Sequence, residues 1–145
     1  MRLTALLVVL PAALIACSEQ PGEIKRDSEP FGDIDEAASI SLLGTEPFWS
    51  LDIEKTSDGH EARYSTPENI DGTAFEVSRF AGNNGLGFSG TLASDAVQAS
   101  ITPGECSDAM SDRTYPYVAT VLIGETTLRG CGYTSDEPFT GEEAP

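Results

Sequence analysis

The residues of this chain that could carry chemistry fall into two clusters. One runs Cys106-Ser-Asp-Ala-Met-Ser-Asp-Arg-Thr-Tyr-Pro-Tyr117, the other Gly44-Thr45-Glu46-Pro47-Phe48-Trp49. In the first, Asp108 and Asp112 stand four apart, on one face if Ser107–Arg113 makes a helical turn, and Arg113 can take either carboxylate bidentately. The bland outcome is an Arg–carboxylate clasp that fixes the loop; the functional one is a recognition loop carrying charge and, at Tyr115, aromatic surface. A third reading makes Asp108, Asp112 or Glu46 an acid–base pair. No nucleophile–base arrangement accompanies them, and catalytic residues usually leave such a constellation, so a non-catalytic role is expected.

In the second cluster, Trp49 opens an alternating run at an inward position, which favours core packing over a ligand platform. Glu46 precedes a proline, is held extended, and can cap one end of the fold. Other chemistry is sparse. His60 is the only histidine, and Asn69 with Asp71 does not meet the alternate-ligand pattern of a calcium loop. There is no phosphate-cradling glycine loop, no nucleophile elbow and no dinucleotide fingerprint. Neither metal nor cofactor is expected.

The three cysteines divide by position. Met1-Arg2 is a short cationic start, followed by an apolar run from Leu3 to Ala16 broken only by Thr4 and Pro11. Such a run spans about 21 Å as a helix, too little for a bilayer core of ~30 Å, and reads as a secretory leader over residues 1–16. Leu14-Ile15-Ala16-Cys17 resembles the bacterial lipobox, in which the Cys17 thiol takes a diacylglycerol before cleavage. Several acyl chains on one residue hold it firmly to a membrane. Ser18 in place of an aspartate favours the outer membrane, periplasmic face. Cys106 and Cys131 are then an even pair in an oxidising compartment, expected as a disulfide because no C-x-x-C or adjacent base suits a redox role. Closing that loop contributes roughly 3.5 kcal/mol in the chain-entropy model.

The chain carries 24 Asp and Glu against 8 Lys and Arg. Removal of Arg2 with the leader leaves seven bases against 24 acids, a side-chain balance of −17. This surface repels phosphate backbones, so nucleic acid is excluded as a partner, whereas basic proteins or peptides are electrostatically permitted. Residues 17–38 read as the lipidated cysteine and an acidic tether, and residues 134–145 as a disordered acidic tail.

Between these segments, residues 39–133 show a period of two. Trp49, Leu51 and Ile53 alternate with polar neighbours, as do Phe75 and Val77, then Val97, Ala99 and Ile101, then Tyr117, Ala119, Val121 and Ile123. Further strands are expected at 61–65, 86–93 and 126–131, with Gly124-Glu125 turning the last hairpin. Seven or so short strands imply an all-β domain, a small antiparallel barrel or sandwich stapled by one disulfide.

The two clusters, with Gly130-Cys131-Gly132, resemble a family of small bacterial envelope proteins and lipoproteins without a defined activity. Its hallmarks are a G-x-E-P-F-W opening, a C-x-D-G-M-S-D-R-x-Y-P-Y segment and a late G-C, and the resemblance covers about Leu43 to Tyr133. Ala109 departs from it, standing where the family commonly has Gly, so any tight turn there must be made another way. The family is similar in domain company to the β lipoproteins called META or HslJ-like and to lysozyme inhibitors, but no catalytic residue comes with the resemblance. The expectation is a lipid-anchored, non-catalytic binding or structural module, with capture of a basic lysozyme-type hydrolase as its sharpest form. The paired Ser/Lys signature and cysteine spacing of the known inhibitors are not found. An envelope enzyme using Asp108 and Asp112 is the competing expectation.

Overall fold

The computed structural model describes residues 34–82 and 84–142. The leader, the lipidation site at Cys17 and most of the expected tether lie outside these residues. Eight strands follow one another: β1 (Ile40–Thr45), β2 (Phe48–Lys55), β3 (His60–Thr66), β4 (Asn69–Ala81), β5 (Leu86–Leu92), β6 (Asp95–Ser107), β7 (Thr114–Ile123) and β8 (Thr126–Thr134). Each pairs antiparallel with the next, and β8 returns to β1 through Ile40↔Thr134 and Leu43↔Cys131, closing the sheet into a barrel. Closure leaves no strand edge along the sheet, which a small sandwich would have had to protect.

The interior is built by the period of two. Leu42, Leu51, Ile53, Ala62, Leu86, Phe88, Val97, Ala99, Ile101, Ala119 and Val121 are all buried in one cluster, while the intervening positions carry Ser, Asp, Glu, Gln and Thr. An apolar inside with a polar outside is the reverse of a lipid-facing barrel. The eighth strand, absent from the alternation, is β1. Its Leu42-Leu43 doublet hides the period, and its third inward position is Gly44, which shows no apolar side chain to count.

That glycine explains Trp49. Gly44 pairs with Trp49, and a Cβ on Gly44 would run into the indole nitrogen; Gly130 leaves similar room, its absent Cβ standing 3.0 Å from the indole ring. Trp49 therefore sits inside the barrel, 4% exposed, as a core residue. The connection before it, Thr45 to Phe48, contains a cis Glu46–Pro47 peptide. Glu46 itself is exposed on that turn.

Both ends of the expected domain need correction. Residues 34–38 were expected to be tether, yet Ile34 and Ala38 are buried members of the core cluster. Burying an isoleucine side chain contributes about 2 kcal/mol, enough to hold a short segment against the barrel. The tail was expected to be disordered from residue 134, yet Thr134 is buried and the chain stays packed through Thr140. Phe139 packs edge-on to Tyr133 and tilted on Tyr115, the Tyr117 hydroxyl donates to Glu137 at 2.6 Å, and Thr140 bridges Thr114. One aromatic side chain in an otherwise acidic segment supplies what composition alone hid.

Candidate functional site

The expected disulfide joins Cys106 at the end of β6 to Cys131 in β8, with Cα atoms 5.5 Å apart. Between Pro103 and Cys106 the β6–β7 register slips by one, a bulge at the residue that cannot donate a ladder hydrogen bond. The loop 108–113 leaves the sheet from there. It makes no helical turn; among the described residues there is no helix at all.

Asp108 organises that loop. Its carboxylate accepts from the Met110 amide (3.0 Å), the Ser111 amide (2.8 Å), the Ser111 hydroxyl (2.8 Å) and the Tyr115 hydroxyl (3.1 Å). Partial burial pushes its carboxyl up, but these four donors outweigh that and hold it down to about 2. Burial raises the Tyr115 phenol, with Arg113 as a hydrogen-bonding neighbour pulling the other way. The expected Arg113–carboxylate clasp is thereby replaced. Asp108 is satisfied by the loop's own amides and hydroxyls, Asp112 is exposed, and the Arg113 guanidinium lies 4.3 Å over the Phe139 ring.

Ala109, where the resemblance has Gly, adopts the left-handed conformation itself at φ 60°. The turn is made as a glycine would make it, at a cost of about 1–2 kcal/mol for an L residue, and the Asp108 hydrogen bonds to Met110 and Ser111 offset that cost.

The loop lies against β1, where the Thr45 hydroxyl donates to the Asp108 carbonyl at 3.1 Å. Both motif clusters thus border one groove of about 560 Å³, whose lining includes Leu43, Thr45, Phe48, Ile70, Met110 and Tyr115. Phe48 is 52%, Met110 62% and Ile70 81% exposed. Three large apolar side chains gathered on a strongly acidic surface form a patch of the kind that marks interaction sites. Of the residues singled out from sequence, Asp108, Arg113 and Tyr115 come together here as the frame of the loop. Trp49 forms the inner wall, and Glu46 and Asp112 remain outside in solvent. The apolar residues that the frame presents were not anticipated, although Phe48 and Met110 sit inside the motifs that carry the resemblance.

A second cavity, about 740 Å³, opens beside the β2–β3 turn, where β4 continues past its last partner in β3 at His60↔Val77. Lys55, Asp58, His60, Glu76 and Arg79 line it together with Glu36 from the segment that precedes β1. Arg79 is 4% exposed, and neither terminal guanidinium nitrogen has a hydrogen-bond partner. Glu36 is ion-paired to Lys55, and its backbone carbonyl lies 3.3 Å from the His60 ring. The hydrogen bond and charge of Lys55, aided by Arg79 and His60, lower the Glu36 carboxyl below its ordinary value. The period of two in Phe75 and Val77, carried one step further, reaches Arg79, a cation at an inward position. That step was the available signal. Among the described residues no group of His, Cys, Asp and Glu is arranged to hold a metal ion.

Comparison with models of known protein families, with curated proteins and with solved structures found no match.

Proposed function

We propose that this protein is a lipid-anchored, non-catalytic binding module of the cell envelope that captures a basic protein partner in the groove between β1 and the 108–113 loop. The observation that carries this reading is the exposed Phe48–Ile70–Met110 trio on an acidic domain. An apolar anchor fills such a groove, while the surrounding negative charge attracts a cationic surface and speeds encounter. The loop is pre-ordered by the disulfide, the Asp108 hydrogen bonds and the Phe139 stack, which lowers the cost of binding. The same details weigh against Asp108 as the acid of an enzyme. A carboxyl held at about 2 has no proton to give near neutrality, so Asp108 suits a structural anion rather than a general acid. The lipobox at Cys17 supports placement on the periplasmic face of the outer membrane.

A basic lysozyme-type hydrolase is the concrete partner to try. Immobilised basic lysozyme is expected to retain the full chain at low salt and release it as salt rises. Retention should fall at least tenfold in Met110→Asp, a substitution at an exposed position that leaves the loop frame intact. Failure to bind at low salt ends the lysozyme version, and retention indifferent to Met110→Asp ends the groove.

A further inference from the structure

Of the three apolar side chains exposed at the groove, one can change its polarity by reaction. Phe48 and Ile70 are plain hydrocarbon, whereas Met110 carries a thioether. Met110 is 62% exposed and is the one methionine among the described residues. The other methionine of the chain, Met1, opens the expected leader. Competing sites for oxygen transfer are shielded: Cys106 and Cys131 are joined as a disulfide, and Trp49 is 4% exposed. A two-electron oxidant that meets the folded barrel therefore reacts at Met110 first.

The loop presents that side chain without depending on it. The Met110 amide donates to the Asp108 carboxylate at 3.0 Å, and the Ser111 amide and hydroxyl donate to it at 2.8 Å each. The disulfide holds one end of the loop at Cys106, and the Arg113–Phe139 stack holds the other. None of these bonds uses the Met110 side chain, so a change at its sulfur leaves the frame standing and alters only the groove. A thioether is apolar and pliable, whereas a sulfoxide is polar and leaves its oxygen unsatisfied against an apolar anchor. We propose that Met110 is a reversible oxidation site that closes the groove to its partner, a regulation that rests on the groove reading above. The co-reactant is a peroxide. The thioether lone pair attacks a peroxide oxygen, the O–O bond breaks, an S–O bond forms and water leaves; the sulfur is oxidised by two electrons and the peroxide reduced. Two thiols of a sulfoxide reductase reverse the step, becoming a disulfide as the oxygen departs in water.

Treating the full chain in detergent with hydrogen peroxide tests this, read by peptide mapping, thermal melting and retention on immobilised basic lysozyme. Met110 is expected to gain one oxygen at a rate within about threefold of free methionine, with the melting temperature unchanged and retention down at least tenfold. The two methionine sulfoxide reductases, one for each epimer, should remove the oxygen from the folded chain and restore retention. Met110→Leu, which keeps an apolar side chain of similar size, should be retained equally before and after peroxide. A rate more than tenfold below free methionine, or a sulfoxide that the reductases cannot remove, overturns the site. Retention undiminished by oxidation, or a loss after peroxide that Met110→Leu shares, overturns the closing of the groove. If the untreated chain is not retained, the lysozyme reading fails by itself, and the neutral apolar dye N-phenyl-1-naphthylamine replaces lysozyme as the probe. Peroxide must then lower dye binding at least threefold in the parent chain and leave Met110→Leu unchanged; any other result overturns the closing of the groove.

Discussion

Thr45 and Asp108, 63 residues apart in the chain, are joined by a hydrogen bond from the threonine hydroxyl to the aspartate carbonyl. The bond ties the β1–β2 turn to the loop between β6 and β7, so the two motifs act as one structural unit. Thr45→Val keeps the shape and removes the donor. It is expected to cost about 1 kcal/mol in denaturant unfolding and to speed protease cleavage within residues 108–113. Unchanged cleavage would mean that the loop is held without Thr45.

The acid limb of stability should report Asp108. Its carboxyl has an ordinary value of 3.8 and is held at about 2 in the fold, so the folded chain takes up that proton less readily than the unfolded one. The stability this provides is complete above pH 4 and drains away as the pH falls toward 2. Asp108→Asn should flatten that part of the pH–stability curve while lowering stability at pH 7. An identical acid limb in the variant would show that other carboxylates govern it.

Ala109→Gly should stabilise. The backbone there is left-handed at φ 60°, where glycine has no Cβ penalty, and the gain is up to about 1 kcal/mol after the greater freedom of glycine in the unfolded chain is subtracted. Ala93, at φ 57° in the β5–β6 turn, should respond with the same sign. Thermal melts of both variants check this, and a lower melting temperature for either contradicts the turn geometry.

Phe139→Ala should destabilise by about 2 kcal/mol, although it lies in a segment whose composition reads as dispensable. The ring contacts Tyr115 and Tyr133 and lies beneath Arg113, so its removal loosens the loop frame from below. Binding to a groove partner should fall along with stability. A neutral effect would mean that the C-terminal segment decorates the barrel without supporting it.

The barrel was largely legible because inward side chains recur at every second residue wherever the apolar series is unbroken, as from Tyr117 to Val121. It failed at β1, where the inward place opposite Trp49 is a glycine and a leucine doublet obscures the phase. The loop was legible as a unit, through its charged residues and cysteine, but its internal pairing was not. Arg113 had two carboxylates near it in sequence, and its stacking partner Phe139 lies 26 positions downstream. Ile34 and Phe139 were lost for a shared reason. A single apolar residue in an acidic stretch carries no period, so only the three-dimensional closure of the barrel shows that it has somewhere to go. Arg79 was hidden differently, as a charge in a slot that pattern reading assigns to hydrophobes.

Ile34 also changes what counts as the end of the folding unit. A protein trimmed to start at Ser39 would keep all eight strands yet lose Ile34 and Ala38 from the core cluster. Trimming or tugging ahead of Ala38 therefore acts on the stability of the whole barrel, and through Glu36 on the wall beside Arg79, as directly as a substitution in the core would.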